Sequence, residues 1–105
     1  MPSGILGRNT LTAVTNTTVY TVPASTRAVL TLNLVNCSNV GANVRVALSN
    51  SGTPAVQDFI EFDADLPPTQ VLERTGIVME ATRVLVVHSS IANVVAVAYG
   101  YEETA

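Results

Sequence analysis

The sequence predicts an all-β fold: a single-domain antiparallel β-sandwich, jelly-roll-like, of about eight short strands. Three observations predict it. Apolar and polar residues alternate at period two over residues 27–37, the signature of a strand buried on one face. Val and Thr, stiff at χ1, dominate the composition, while no long segment keeps apolar residues at i, i+3, i+4, i+7. Turn-forming residues recur roughly every 8 to 12 positions, the spacing of sandwiches and barrels.

The strongest element is 27–37, where Ala28, Leu30, Leu32 and Leu34 share one face and Thr31 and Asn33 the other. Before it, 11–15 and 18–22 are short candidates separated by Asn16, and Pro23-Ala24-Ser25 turns the chain into the long strand. After it, turn chemistry over 37–43 leads to a strand at 44–48, so the two are expected to form a hairpin. The loop 49–54 precedes a strand at 59–63, which Pro67-Pro68 stops because proline removes a ladder donor. Strands at 70–74, 77–80, 83–88 and 94–101 complete the set. The lead, 1–9, is expected as a flexible arm, frayed or ordered on a neighbour; the sandwich spans 10–102 and a short tail 103–105.

A chain of 105 residues buries roughly two-thirds of the surface that its unfolded form exposes, enough for a core without staples. Cys37 is the single cysteine, so no intramolecular disulfide forms and the thiol is expected as a small buried hydrophobe. The opening Met1-Pro2-Ser3-Gly4-Ile5-Leu6-Gly7-Arg8 has no signal-peptide character, and no stretch approaches the roughly 20 apolar residues that cross a bilayer. The expectation is a soluble protein made in a cytoplasm, with no membrane partner. Net charge is -3, and phosphate binding needs clustered cations, which argues against nucleic acid. Charged residues are only 12% of the chain, and the basic ones are all Arg. Interfaces are depleted in Lys and enriched in Arg, so much of this surface is expected to leave water.

No constellation for catalysis is visible. His88, the lone histidine, ends a strand beside Ser89 and Ser90 without a nucleophile elbow, and is expected in an ordinary hydrogen bond. Asp58, Glu61, Asp63 and Asp65 form an acidic run whose last three members, spaced by two, would project together. Calcium-loop spacing is missing, so the run is read as a solvated face or a partner for a neighbour's Arg, with no metal. A glycosidase pair would need a cleft that nothing in the sequence indicates. Tyr20, Tyr99 and Tyr101 could line a shallow sugar site, but strand-end tyrosines more often bury the ring and keep the hydroxyl wet. The sequons at Asn16 and Asn36 are taken as chance. No catalytic, cofactor or metal site is assigned.

The order of landmarks resembles small virion proteins of tailed bacteriophages, including cyanophages. They are Val19-Tyr20-Thr21-Val22-Pro23-Ala24, the alternating strand ending Val35-Asn36-Cys37, Asp58-Phe59-Ile60-Glu61-Phe62-Asp63, Thr75-Gly76-Ile77-Val78-Met79, and Val97-Ala98-Tyr99-Gly100-Tyr101-Glu102. The resemblance covers residues 17–102; Ala81-Thr82 stands where the family pattern has a Gly-Asp turn. It implies a non-enzymatic virion subunit, ranked first as capsid decoration or cement because the chain carries no fused shaft or coiled coil. A tail, baseplate or fibre subunit is the close alternative, and a receptor- or carbohydrate-binding module stands third. The implied partners are the major capsid protein or other virion proteins and further copies of the chain, a trimer suiting a site between capsomers.

Residues 94–101 are apolar on both faces, Val95, Val97, Tyr99 and Tyr101 alternating with Val94, Ala96, Ala98 and Gly100. The small-residue face is expected outward, covered by a loop or by another subunit. On that view Ala98→Glu leaves the fold intact and blocks assembly.

Overall fold

Alternation becomes burial in the computed structural model, which describes residues 3–104. Among these residues eight strands form: β1 (Ser3–Thr10), β2 (Thr15–Thr21), β3 (Thr26–Asn36), β4 (Ala42–Ser49), β5 (Phe59–Leu66), β6 (Val71–Met79), β7 (Val84–Ser89) and β8 (Val94–Thr104), with one 3-10 turn, Val56–Asp58, ahead of β5. Two antiparallel sheets result, ordered β1-β8-β3-β6 and β2-β7-β4-β5. Ladders join β1 to β8, β2 to β7, β3 to β6 and β4 to β5, so the chain is one long hairpin of paired strands. The ladders β3 to β8 and β4 to β7 roll that hairpin into two layers. This is the jelly roll.

The core lies between the layers. Ala28, Leu30, Leu32 and Leu34 of β3 join Ala96 and Ala98 of β8 and Ile77 and Met79 of β6 in a cluster that includes Val44 and Val46 of β4 and Leu85 and Val87 of β7. Each fully buried aliphatic side chain of this kind contributes about 1.5–3 kcal/mol of transfer free energy. One polar side chain belongs to the interior because every group on it is satisfied. Asn36 ends β3 fully buried; its Nδ2 donates to the Val40 and Leu66 carbonyls at 2.8 and 3.0 Å, and its Oδ1 accepts from the Ser38 amide and hydroxyl. It thereby ties the end of β3 to the following turn and to the end of β5.

Several expectations are corrected. β3 and β4 are not a hairpin but lie in opposite sheets, because the 37–41 turn, held by Asn36, crosses between layers. Cys37 is exposed: Ala28 through Asn36 point inward at even positions, so residue 37 points out. The lead is no arm over its described part, since β1 pairs along β8 from Ser3–Tyr101 to Thr10–Val95. Likewise the tail continues β8, where Glu103 meets Arg27 in an ion pair; Met1, Pro2 and Ala105 lie outside the described residues. Of residues 11–15, 11–14 are a corner carrying the buried Leu11 and Thr15 opens β2, while 70–74 and 77–80 fuse into β6. There Thr75 and Gly76 together oppose Thr31, a bulge that Gly76 accommodates at φ +68°.

Leu32→Ala is expected to cost about 2–5 kcal/mol through lost transfer energy and a cavity, and Thr31→Ala, on the outward face of the same strand, far less. Denaturant melts check the pair; equal losses would mean that the faces of β3 are reversed.

Candidate functional site

The structure separates the residues that a catalytic or metal site would need. Asp58 accepts the Ala55 amide at 2.9 Å and closes the 3-10 turn. Glu61 reaches Arg74 at 3.0 Å, an ion pair that bridges β5 and β6, the edge strands of the two sheets. Asp63, at φ +53° in an irregular stretch of β5, turns instead to Arg45, whose Nε donates to its Oδ1 at 2.6 Å. That hydrogen bond holds the Asp63 carboxyl below the ordinary carboxylate range. The register shift between Val44 and Val46 turns Glu61, opposite the core residue Val46, away from Asp63, while Asp65 sits exposed opposite Asn43. Among the described residues no group of three or more His, Cys, Asp and Glu side chains could hold a metal ion.

His88 sits opposite Arg45 on the outer face of the β2-β7-β4-β5 sheet. Its Nδ1 is buried with no hydrogen-bond partner among the described residues, contrary to the bonded histidine expected. Burial, then the Arg45 charge, lowers its pKa against the opposing effect of Asp63; neither a nucleophile nor an orienting carboxylate is bonded to it. The three tyrosines do not converge. Tyr20 is a core residue whose hydroxyl donates to Glu102 across the two sheets, whereas Tyr99 and Tyr101 stand on the outside of the other sheet. Of the sequon residues, Asn36 is fully buried. A cleft of about 320 Å3 beside the 3-10 turn is lined in part by Asp58, Phe59, Glu80 and Arg83, and its charges are already used: Arg83 donates to Glu80 at 3.2 Å.

What distinguishes this molecule is the contrast between its two outer faces. On the β2-β7-β4-β5 sheet, Ala47, Val84 and Val86 form a second small cluster roofed by Phe59. Phe59 meets Phe62 edge-on with centroids 5.1 Å apart, and the Arg45 guanidinium lies 4.3 Å over the Phe62 ring. The β4–β5 connection reaches across towards β2, placing Gly52 beside the Thr18 hydroxyl.

Among the described residues the β1-β8-β3-β6 sheet has no such roof. Its outer residues fall into five cross-strand rows: Thr10, Val95, Val35, Val71; then Arg8, Val97, Asn33, Glu73; then Ile5, Tyr99, Thr31 and the β6 bulge; then Ser3, Tyr101, Val29, Val78; and last the ion pair of Glu103 with Arg27. Ile5 is 60% exposed, Val71 55%, Val78 59% and Tyr101 47%. Between Tyr99, Tyr101, Thr31 and Gly76 lies a shallow depression of about 260 Å3. The Tyr99 hydroxyl donates to Glu73 at 3.1 Å.

This overturns the expected orientation of β8. Its small residues face inward, Ala96 and Ala98 being fully buried, and a Cβ on Gly100 would run into the Val29 carbonyl oxygen. Ala98→Glu would therefore put a carboxylate in the core and destroy the fold. The outward face is the one bearing Val95, Val97, Tyr99 and Tyr101. Val71, Val78, Ile5 and Arg8 were missed as surface candidates, although counting by twos from Leu32 along β3 and across its ladders would have found Val71 and Val78.

Compared with known protein families, characterised proteins and solved structures, the chain has no significant match.

Burial, followed by the hydrogen bond to Glu102 and the charge of that carboxylate, raises the Tyr20 pKa well above the ordinary tyrosine value. A folded-state pKa above the unfolded one means that this contribution is complete below about pH 10 and is lost as pH rises from there towards the folded value. Wild-type stability in denaturant melts is expected to fall over that alkaline range. Tyr20→Phe should lower stability at neutral pH and reduce the alkaline slope; an unchanged slope would mean that the phenol is solvated.

Proposed function

We propose that the chain is a structural subunit of a tailed-phage virion, a capsid decoration or cement protein that works by protein–protein contact through the outer face of β1-β8-β3-β6. The observation that carries the assembly reading is the uncovered state of that face. Apolar side chains stand in four of its five rows, whereas on the opposite face Phe59 covers Ala47, Val84 and Val86. Contiguous apolar surface rimmed by polar groups marks interaction sites in soluble proteins, and few long charged side chains here compete with a partner.

The virion assignment is supported by the landmarks over residues 17–102 and by an architecture used in viral capsid domains, an architecture that also hosts other functions. A non-catalytic role is supported by His88, which lies near Asp63 but whose neighbouring carboxylate is taken up by Arg45. A carbohydrate module has weaker support: Tyr20 is in the core and the Tyr99 hydroxyl is engaged by Glu73, which leaves Tyr101 alone as a free aromatic.

Val71→Glu and Val78→Glu are expected to keep the circular dichroism spectrum and to abolish attachment to purified particles. Val56→Glu, on the exposed 3-10 turn, should leave attachment intact. Measuring copy number per particle in heads and tails separately checks the address: many copies on heads fit decoration, copies confined to tails move the subunit there, and absence from both defeats the virion reading.

A further inference from the structure

Resting on the reading of the β1-β8-β3-β6 face as an assembly surface, we infer that its partner is a second copy of the chain, docked face to face about a twofold axis that runs along the strands between β8 and β3. Such an axis reverses the strand order and keeps the height along each strand. The β1 edge of one copy then lies on the β6 edge of the other, row against row. In the second row the β1 end is Arg8 and the β6 end is Glu73, so the pairing brings a cation onto an anion twice, once on each side of the axis.

The charges on the rest of the molecule make this pair stand out. Arg27, Arg45, Arg74 and Arg83 each have a carboxylate within their own chain. Among the described residues Arg8 is the one arginine with none, although its chain carries an excess of acids. Glu73 is exposed and holds only the Tyr99 hydroxyl. A twofold axis running across the strands would instead stack β1 on β1 and leave both charges without a partner. Shape agrees with charge. In the third row the same operation sets the exposed Ile5 of one copy over the β6 bulge of the other, where Gly76 has no side chain and borders the depression.

The symmetry is isologous, as a self-complementary patch requires, and the two sheets would pack as sandwich layers do, about 10 Å apart. Four strands of about seven residues cover about 500 Å2 on each copy, or about 1,000 Å2 together, at the lower limit for a specific interface. The dimer is therefore reversible and concentration-dependent. The threefold ring suggested by the virion resemblance is not what this face builds.

Charge exchange tests the pairing in the full chain by sedimentation equilibrium. Arg8→Glu and Glu73→Arg are each expected to weaken dimerisation by about tenfold or more, because each sets like charges together on both sides of the axis. The double variant should recover the wild-type constant to within about threefold, and an equimolar mixture of the two single variants should form the heterodimer, in which both contacts are again opposite in sign. Circular dichroism checks folding, with Arg8→Gln and Glu73→Gln as neutral substitutes should a reversal unfold the chain; these also should weaken the dimer. Single variants that dimerise like wild type, or a mixture that stays monomeric, would overturn the pairing. Should wild type remain monomeric at high concentration while Val78→Glu still abolishes particle attachment, the second copy is refuted and the assembly surface stands. If attachment also survives Val78→Glu, both fall.

Discussion

The fold hangs on the ladder between β3 and β8. These strands pair without a single register shift from Thr26–Thr104 to Asn36–Val94, eleven residues each, and they are the two central strands of their sheet. Every other strand of that sheet is irregular where it meets them, β1 at Leu6 and β6 at Thr75-Gly76. The unbroken pair fixes which side chains enter the core and at what height. Inward, the bulky Leu30, Leu32 and Leu34 lie opposite Gly100, Ala98 and Ala96; large beside small lets the second sheet approach without strain. Outward, the same register sets Val29, Thr31, Asn33 and Val35 beside Tyr101, Tyr99, Val97 and Val95, and so creates the flat apolar face on which the functional proposal rests.

Asymmetry between the two outer faces follows from the connections. The β4–β5 link is the one link between consecutive strands that stays within a sheet, and it carries a 3-10 turn that leads into the aromatic residues Phe59 and Phe62 of β5. Phe59 is thereby packed within the chain, and Phe62 is held against it and under Arg45 while staying exposed. No segment among the described residues covers the tyrosines of β8. Of the four ion pairs, Arg74–Glu61 joins the sheet edges, Arg45–Asp63 lies on the face that Phe59 covers, Arg83–Glu80 is local, and Arg27–Glu103 closes one end of the other face, which keeps Arg8 and Glu73 at opposite edges. Surface pairs of this kind contribute little to stability by themselves, so their placement speaks more to recognition than to folding.

Period-two patterning was enough to read β3, the all-β class and the core positions Leu30, Leu32 and Leu34. It failed where both parities carry similar residues. β8 is apolar on either face, and only its neighbour in the ladder decides that alanines go inward; the residues themselves favour neither side. β1 was unreadable because Gly4 and Gly7 dilute its pattern and its partner lies some ninety positions away. The acidic run was read as a solvated face or a partner for a neighbour's Arg, with its last three members projecting together; the shifts of β5 instead turn Asp63 to Arg45 and Glu61 to Arg74 of the same chain. Cys37 was misplaced by residue type, although strict alternation from Ala28 already put it outside. The assembly face was legible only in part, since its rows are made by long-range pairing.

The claim that this molecule works through the flat face of one sheet is tested most directly by hydroxyl-radical footprinting of the dilute free protein against its assembled state. Tyr99 and Tyr101 report on the flat face and Phe62, 58% exposed, on the roofed one. The account requires that both tyrosines lose reactivity on assembly while Phe62 keeps its own. Protection of Phe62 with Tyr99 and Tyr101 still reactive would contradict it.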